Sequence, residues 1–126
     1  MVRSAGRPRG LVAISKAYTP DRGDVVRLEF SPQAGREQAG PRLALVLSPR
    51  EYNEKVGLFI CCPITSQVKG YAFEVDMART PRVSGVALAD HVSSLDWQRR
   101  NARPFSRAPN LVVENVVKMI NDLIAT

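Results

Sequence analysis

The chain has 126 residues, 44% of them apolar and 24% charged, a size and balance that suit one folded domain and exclude disorder along the whole length. No apolar run approaches the roughly 18 residues that a bilayer-spanning helix needs, and Leu11 to Ile14 is too short for a signal-peptide core, so a cytoplasmic protein is expected. The formal net charge is +6, yet Arg3, Arg7, Arg9 and Lys16 precede any acidic residue; of 18 basic residues, setting these four aside leaves 14 against 12 acidic ones.

Residues 1–19 lack a periodic apolar pattern and are read as a basic, mobile arm, either docking on phosphates or an inert extension, with residues 20–126 as the folded domain. From Asp24 to Phe30, Val26, Leu28 and Phe30 fall on one side and Val25, Arg27 and Glu29 on the other, as in a half-buried strand. A polar loop from Ser31 to Pro41 follows, and then Leu43 to Leu47, continuously apolar and so expected to be buried on both faces. Ser48-Pro49 opens a turn with room for a short helical piece. Gly57 to Pro63 is another apolar run, Tyr71, Phe73 and Val75 alternate along the next strand, and Val86 and Leu88 begin a further one expected to run past Asp90. Short strands with no intervening helices imply a barrel or sandwich. After Pro109, Val113, Val116, Val117, Ile120, Leu123 and Ile124 recur at helical spacing, so one amphipathic helix closes the chain. Before it lies a basic stretch, Arg99, Arg100, Arg103 and Arg107 beyond Trp97, with no acidic residue after Asp96, expected to be a solvated strand and loop.

Cys61 and Cys62 are adjacent. On a strand their sulfurs point to opposite faces and cannot clasp one ion, and the only histidine, His91, cannot complete a site, so no metal is expected, and reduced core thiols are preferred to a rare, strained vicinal disulfide. Gly35 to Gly40 imitates a phosphate-binding loop, but Pro41-Arg42 stands where a lysine and a hydroxyl residue must follow. No serine sits in a nucleophile-elbow context to pair with His91. What remains is polar residues in two loops at strand ends: Glu37, Gln38 and Arg42 in one, Thr65, Ser66, Gln67 and Lys69 in the other.

Three ordered blocks give these loops a meaning. Gly23-Asp24-Val25-Val26, then Glu37-Gln38-Ala39-Gly40 with Arg42 and Leu45-Val46-Leu47-Ser48, is similar to the N-terminal signature of the MazF/PemK toxins. Cys62-Pro63-Ile64-Thr65-Ser66-Gln67 followed by Lys69-Gly70-Tyr71-Ala72-Phe73-Glu74-Val75 resembles the second family block, and Gly85 to Asp90 with Val92 the third. The resemblance, from about residue 20 to the end, implies a mainly β, SH3-like barrel with a C-terminal helix, a homodimer, and an endoribonuclease that needs no cofactor. It implies cutting of single-stranded messenger RNA at short sequences by attack of the 2'-hydroxyl, leaving a 2',3'-cyclic phosphate and a 5'-hydroxyl, and inhibition by a MazE-like antitoxin. By position, Arg42 and Thr65 match the residues most associated with catalysis and Glu37 the acid beside them. A guanidinium does not give up its proton in a protein, so Arg42 is assigned to clamp the phosphate and Glu37 to act as base. Arg36, Gln38, Ser66, Gln67, Lys69, Asp90 and His91 are nominated to contact RNA, Asp90 and His91 being alternatively a capping acid and a packed imidazole.

Departures from the pattern are Leu43 for a common proline, Arg36 for a frequent serine and His91 for a frequent glutamine; the last two bear on base choice. Two other classes share the fold: a gyrase poison, which depends on a C-terminal end containing tryptophan, and a non-catalytic RNA-binding barrel. Here the chain ends Leu123-Ile124-Ala125-Thr126 and its one tryptophan is Trp97.

Overall fold

The computed structural model describes residues 18–29 and 42–125. The expected arm therefore lies almost wholly outside the described residues, as do Phe30, Arg36, Glu37 and Gln38. The chain forms β1 (Asp24–Leu28), β2 (Arg42–Val46), α1 (Arg50–Val56), β3 (Phe59–Thr65), β4 (Glu74–Asp76), β5 (Val86–Leu88), a short 3-10 turn (Ala89–His91), β6 (Ser93–Leu95), β7 (Arg103–Arg107) and α2 (Asn110–Ala125).

All strand pairings are antiparallel, in the order β4-β5-β3-β2-β1-β7, with β6 also on β3. β3 is the pivot. Its first half pairs with β6, its middle with β2, and its last two residues, Ile64 and Thr65, cross to β5. The two ends of the strand order are drawn together by the β4–β5 connection: Arg82 Nη1 donates to the Phe105 carbonyl at 3.0 Å, and Ser106 Oγ donates to the Pro81 carbonyl at 2.6 Å. That tie curls the sheet toward a barrel and covers the outward edge of β7, which would otherwise offer unpaired backbone groups.

Each sheet face carries its own core. Val25, Leu45 and Cys62 pack with Val112, Val113 and Val116 of α2, whereas Val26, Ala44, Val46 and Cys61 pack with Phe59 and Trp97. Leu45 and Val46 are both wholly buried, which explains the unbroken apolar run of β2. The adjacent cysteines, both free, fall into different cores as the period of two requires. Burial pushes both thiols up to about 12, Cys62 adding to the shift of Cys61 and the Asp90 carboxylate to that of Cys62. Both thiols therefore stay protonated and unreactive at neutral pH.

A buried amide locks the second core to its surroundings. Asn53, fully buried in α1, donates to the carbonyls of Pro20 at 2.8 Å and Ser48 at 3.0 Å, and accepts the Ser48 hydroxyl at 2.6 Å. Ser48 Oγ accepts in turn from the Ile60 amide, and Trp97 Nε1 donates to the Asn53 carbonyl at 3.0 Å. Trp97 is thus a core residue rather than part of the basic surface stretch. Asn53→Ala strands two buried carbonyls and a hydroxyl, and is expected to cost about 3 kcal/mol. A urea titration should read this as a lower midpoint at unchanged slope.

Two sequence expectations need correction. Tyr71 and Phe73 do not extend β4; they precede it, with their rings stacked at 5.1 Å, because Glu74 accepts from the backbone of Lys69 and Gly70 and bends the chain into a turn there. β5 does not run past Asp90 either. It stops at Leu88, and Ala89, buried in the first core, starts a helical turn before β6.

Candidate active site

β2 begins at Arg42 and β3 ends at Thr65, and since the strands are antiparallel these two positions share one end of the sheet. The register pairs Ala44 with Pro63. Arg42 and Thr65 each lie two residues beyond that pair, at the same end of the two strands, where β3 turns to pair with β5. Arg42 is exposed and Thr65 half-buried.

Thr65 leads into a loop shaped by its own side chain and by a carboxylate further on. Its hydroxyl accepts the Gln67 amide at 3.0 Å, a local turn that leaves the hydroxyl proton free to point elsewhere. Glu74 accepts the amides of Lys69 at 3.1 Å and Gly70 at 2.9 Å, pinning the far end of the loop to the start of β4. Ser66, Gln67 and Lys69 are thereby held exposed between two anchored ends. Glu74 carries no assignment from the sequence, although its position four residues after Gly70 was the available signal.

Gly85, which heads the third block in the sequence but has no role assigned there, is the second such residue. It has φ +102°, and a Cβ there would run into the Thr65 carbonyl and lie 2.9 Å from Ser66 Cα. Only a glycine lets β5 pair with the last residue of β3, Thr65 with Val86, at that approach. Thr65 is therefore located by a backbone contact from behind as well as by its own strand.

Asp90 and His91 lie elsewhere. β5 runs away from Thr65 and ends at Leu88, so Asp90 lies beyond the strand, in the helical turn Ala89–His91. His91 is more than half exposed, which removes the packed-imidazole alternative, and its Nε2 stands 3.7 Å from the Asp90 carboxylate. Arg42 and Thr65 thus lie at one end of the sheet, Ser66, Gln67 and Lys69 in the loop that follows Thr65, Asp90 and His91 in the turn after β5, and Arg36, Glu37 and Gln38 outside the described residues.

A curved antiparallel sheet with a C-terminal helix and an arginine and a threonine on one rim defines a class that comparison with known proteins identifies. Residues 21–124 match the PemK-like, MazF-like toxins of type II toxin-antitoxin systems. Over 85 residues the chain is 52% identical to the endoribonuclease toxin MazF of Escherichia coli K12, covering 68% of this chain and 76% of that protein. A MazE–MazF crystal structure from Deinococcus radiodurans superposes with TM-score 0.81 at 49% identity, covering 87% of this chain and 99% of that one. MazF alone from the same organism gives TM-score 0.77, also at 49% identity, over 87% of this chain and 100% of that one. The chain belongs to the PemK/MazF toxin family, and within it is a MazF-type endoribonuclease toxin of a toxin-antitoxin system.

Proposed function

We propose that this protein cuts single-stranded messenger RNA at a short recognised sequence, without a metal ion, by driving the 2'-hydroxyl of one nucleotide onto the adjacent phosphate. The bond from phosphorus to the 5'-oxygen breaks, leaving a 2',3'-cyclic phosphate and a 5'-hydroxyl. Arg42 clamps the non-bridging oxygens as charge builds in the phosphorane, a role suited to its fixed fork of donors. Thr65 adds a hydroxyl hydrogen bond to the same group, Glu37 takes the 2'-proton, and the departing 5'-oxygen takes a proton from water. Arg36, Gln38, Ser66, Gln67 and Lys69 read the unstacked bases beside the cut, with Asp90 and His91 meeting nucleotides further along. The protein acts in the cytoplasm as a homodimer, and a MazE-like antitoxin silences it, as the complex from Deinococcus radiodurans suggests.

The observation that carries this is the placement of Arg42 and Thr65 at the shared end of neighbouring strands, beside an exposed loop fixed at both ends. Incubating a long unstructured RNA with the purified chain in excess chelator tests it. Discrete fragments at repeated short sequences are expected; intact RNA in chelator with cutting restored by magnesium contradicts the metal-free chemistry.

A further inference from the structure

The basic stretch before α2 takes no part in the cleavage rim, yet it is built into the fold in a specific way. β7 pairs with β1 so that Arg103 stands directly opposite Arg27, both exposed. Like charges in that relation repel and cost stability. A third cation joins them from the β4–β5 connection: Arg82 lies over the Phe105 ring at 4.1 Å, and Arg27 lies over the same ring at 5.9 Å. Nearby acids are engaged elsewhere. Asp24 is held by Arg107 and Tyr18, and Glu29 accepts from the Asn101 amide at 3.1 Å. Among the described residues, Arg27, Arg82 and Arg103 form no ion pair.

This cluster shares one end of the sheet with Arg42 but stands on the opposite face. Leu28 pairs with Arg42 while its neighbour Arg27 pairs with Leu43, and neighbouring side chains on a strand point to opposite sides. The backbones of Arg103 and Arg42 are two strands apart, about 10 Å at the usual strand spacing, so RNA reaches the cluster from the rim by passing over the end of β1. We propose that Arg27, Arg82 and Arg103, gathered around Phe105 at the β1/β7 edge, form a track for the sugar-phosphate backbone of single-stranded RNA leaving the cleavage rim. The proposal rests on Arg42 and Thr65 marking where RNA is cut. The track holds phosphates without reading bases, because guanidinium groups already lie over the Phe105 ring and it offers no open stacking platform. An acidic peptide adding a strand to β7 fits less well: Pro104 has no N–H to give, and the Phe105 carbonyl is already taken by Arg82.

The test measures binding rather than cutting. Fluorescent 2'-O-methyl RNA of unstructured mixed sequence, which has no free 2'-hydroxyl to attack, is titrated in two lengths, about 16 and about 5 nucleotides. The native chain is compared with an Arg27→Gln/Arg103→Gln variant and an Arg103→Lys variant. For the long oligonucleotide, raising salt from roughly 50 to 200 mM should weaken native binding about sevenfold more than binding by the double variant, the effect of two phosphate contacts on a single strand. Arg103→Lys should behave as native, and the short oligonucleotide should not distinguish the variants. Equal salt dependence of native and double variant on the long oligonucleotide overturns the track. So does equal loss on both lengths, or a double variant that binds RNA as the native chain does but releases an acidic peptide. A chain that shows the expected binding but cuts no RNA keeps the track and loses the nuclease mechanism; one that cuts with unaltered binding does the reverse.

Discussion

Replacing Gly85 with alanine should abolish most RNA cleavage, by about a hundredfold, although residue 85 has no chemistry of its own. The added methyl meets the Thr65 carbonyl and Ser66 Cα, both backbone, so neither can swing aside as a flexible side chain would. Either β5 separates from β3 or Thr65 moves, and a shift of about 1 Å in a positioning group costs on the order of a hundredfold in rate. The positive φ adds a penalty of roughly 1 kcal/mol or more in stability. Gly57→Ala separates the two effects: it has φ +82° at the end of α1 with nothing within 4 Å of its Cβ, so it carries the strain without the collision. Cleavage assays and melting curves should show both variants destabilised and only Gly85→Ala inactive. Full activity in folded Gly85→Ala removes Thr65 from the reaction.

Arg42→Ala should lose activity by about a hundredfold or more, since one preorganised donor to a developing oxyanion is worth that much. Because Arg42 is exposed at the first position of β2, the fold should persist, with a change in stability within about 0.5 kcal/mol. Arg42→Lys should recover only part of the rate, as an ammonium group supplies charge but not the planar fork. The readouts are single-turnover cleavage and growth arrest on expression. A folded, fully toxic Arg42→Ala protein refutes the clamp.

How much of this was visible in the sequence depends on how local the cause is. The unbroken run of β2 announced burial on both faces, and the adjacent cysteines announced opposite cores, because the period of two is a property of the strand itself. The α2 pattern located a helix from Asn110, with Val113 and Val116 facing the core as expected, while Val117, Leu123 and Ile124 are exposed. Alternation misled at Tyr71 and Phe73, where two aromatics stack on each other before the strand begins. It misled again past Leu88, where burial of Ala89 and a helical turn end β5.

The site was legible in its chemistry and not in its support. Arg42 and Thr65 were found through ordered family blocks, and the register sets them at one end of the sheet. Glu74 and Gly85 act through the backbone of residues far from them in function, and a side-chain inventory has no means of finding such contacts. Likewise the basic stretch gave charge alone. Only the pairing of β7 with β1 shows that Arg103 and Arg27 face each other, and only the β4–β5 connection adds Arg82.

A substrate carrying a single 2'-deoxy nucleotide immediately 5' to a mapped cut tests the mechanism most directly. Without that hydroxyl the attacking group is missing, so the RNA should stay intact at that position while an unmodified copy of the same site in the same molecule is cut to a cyclic phosphate and a 5'-hydroxyl. Cleavage at the deoxy position, or fragments bearing 5'-phosphates, would contradict it.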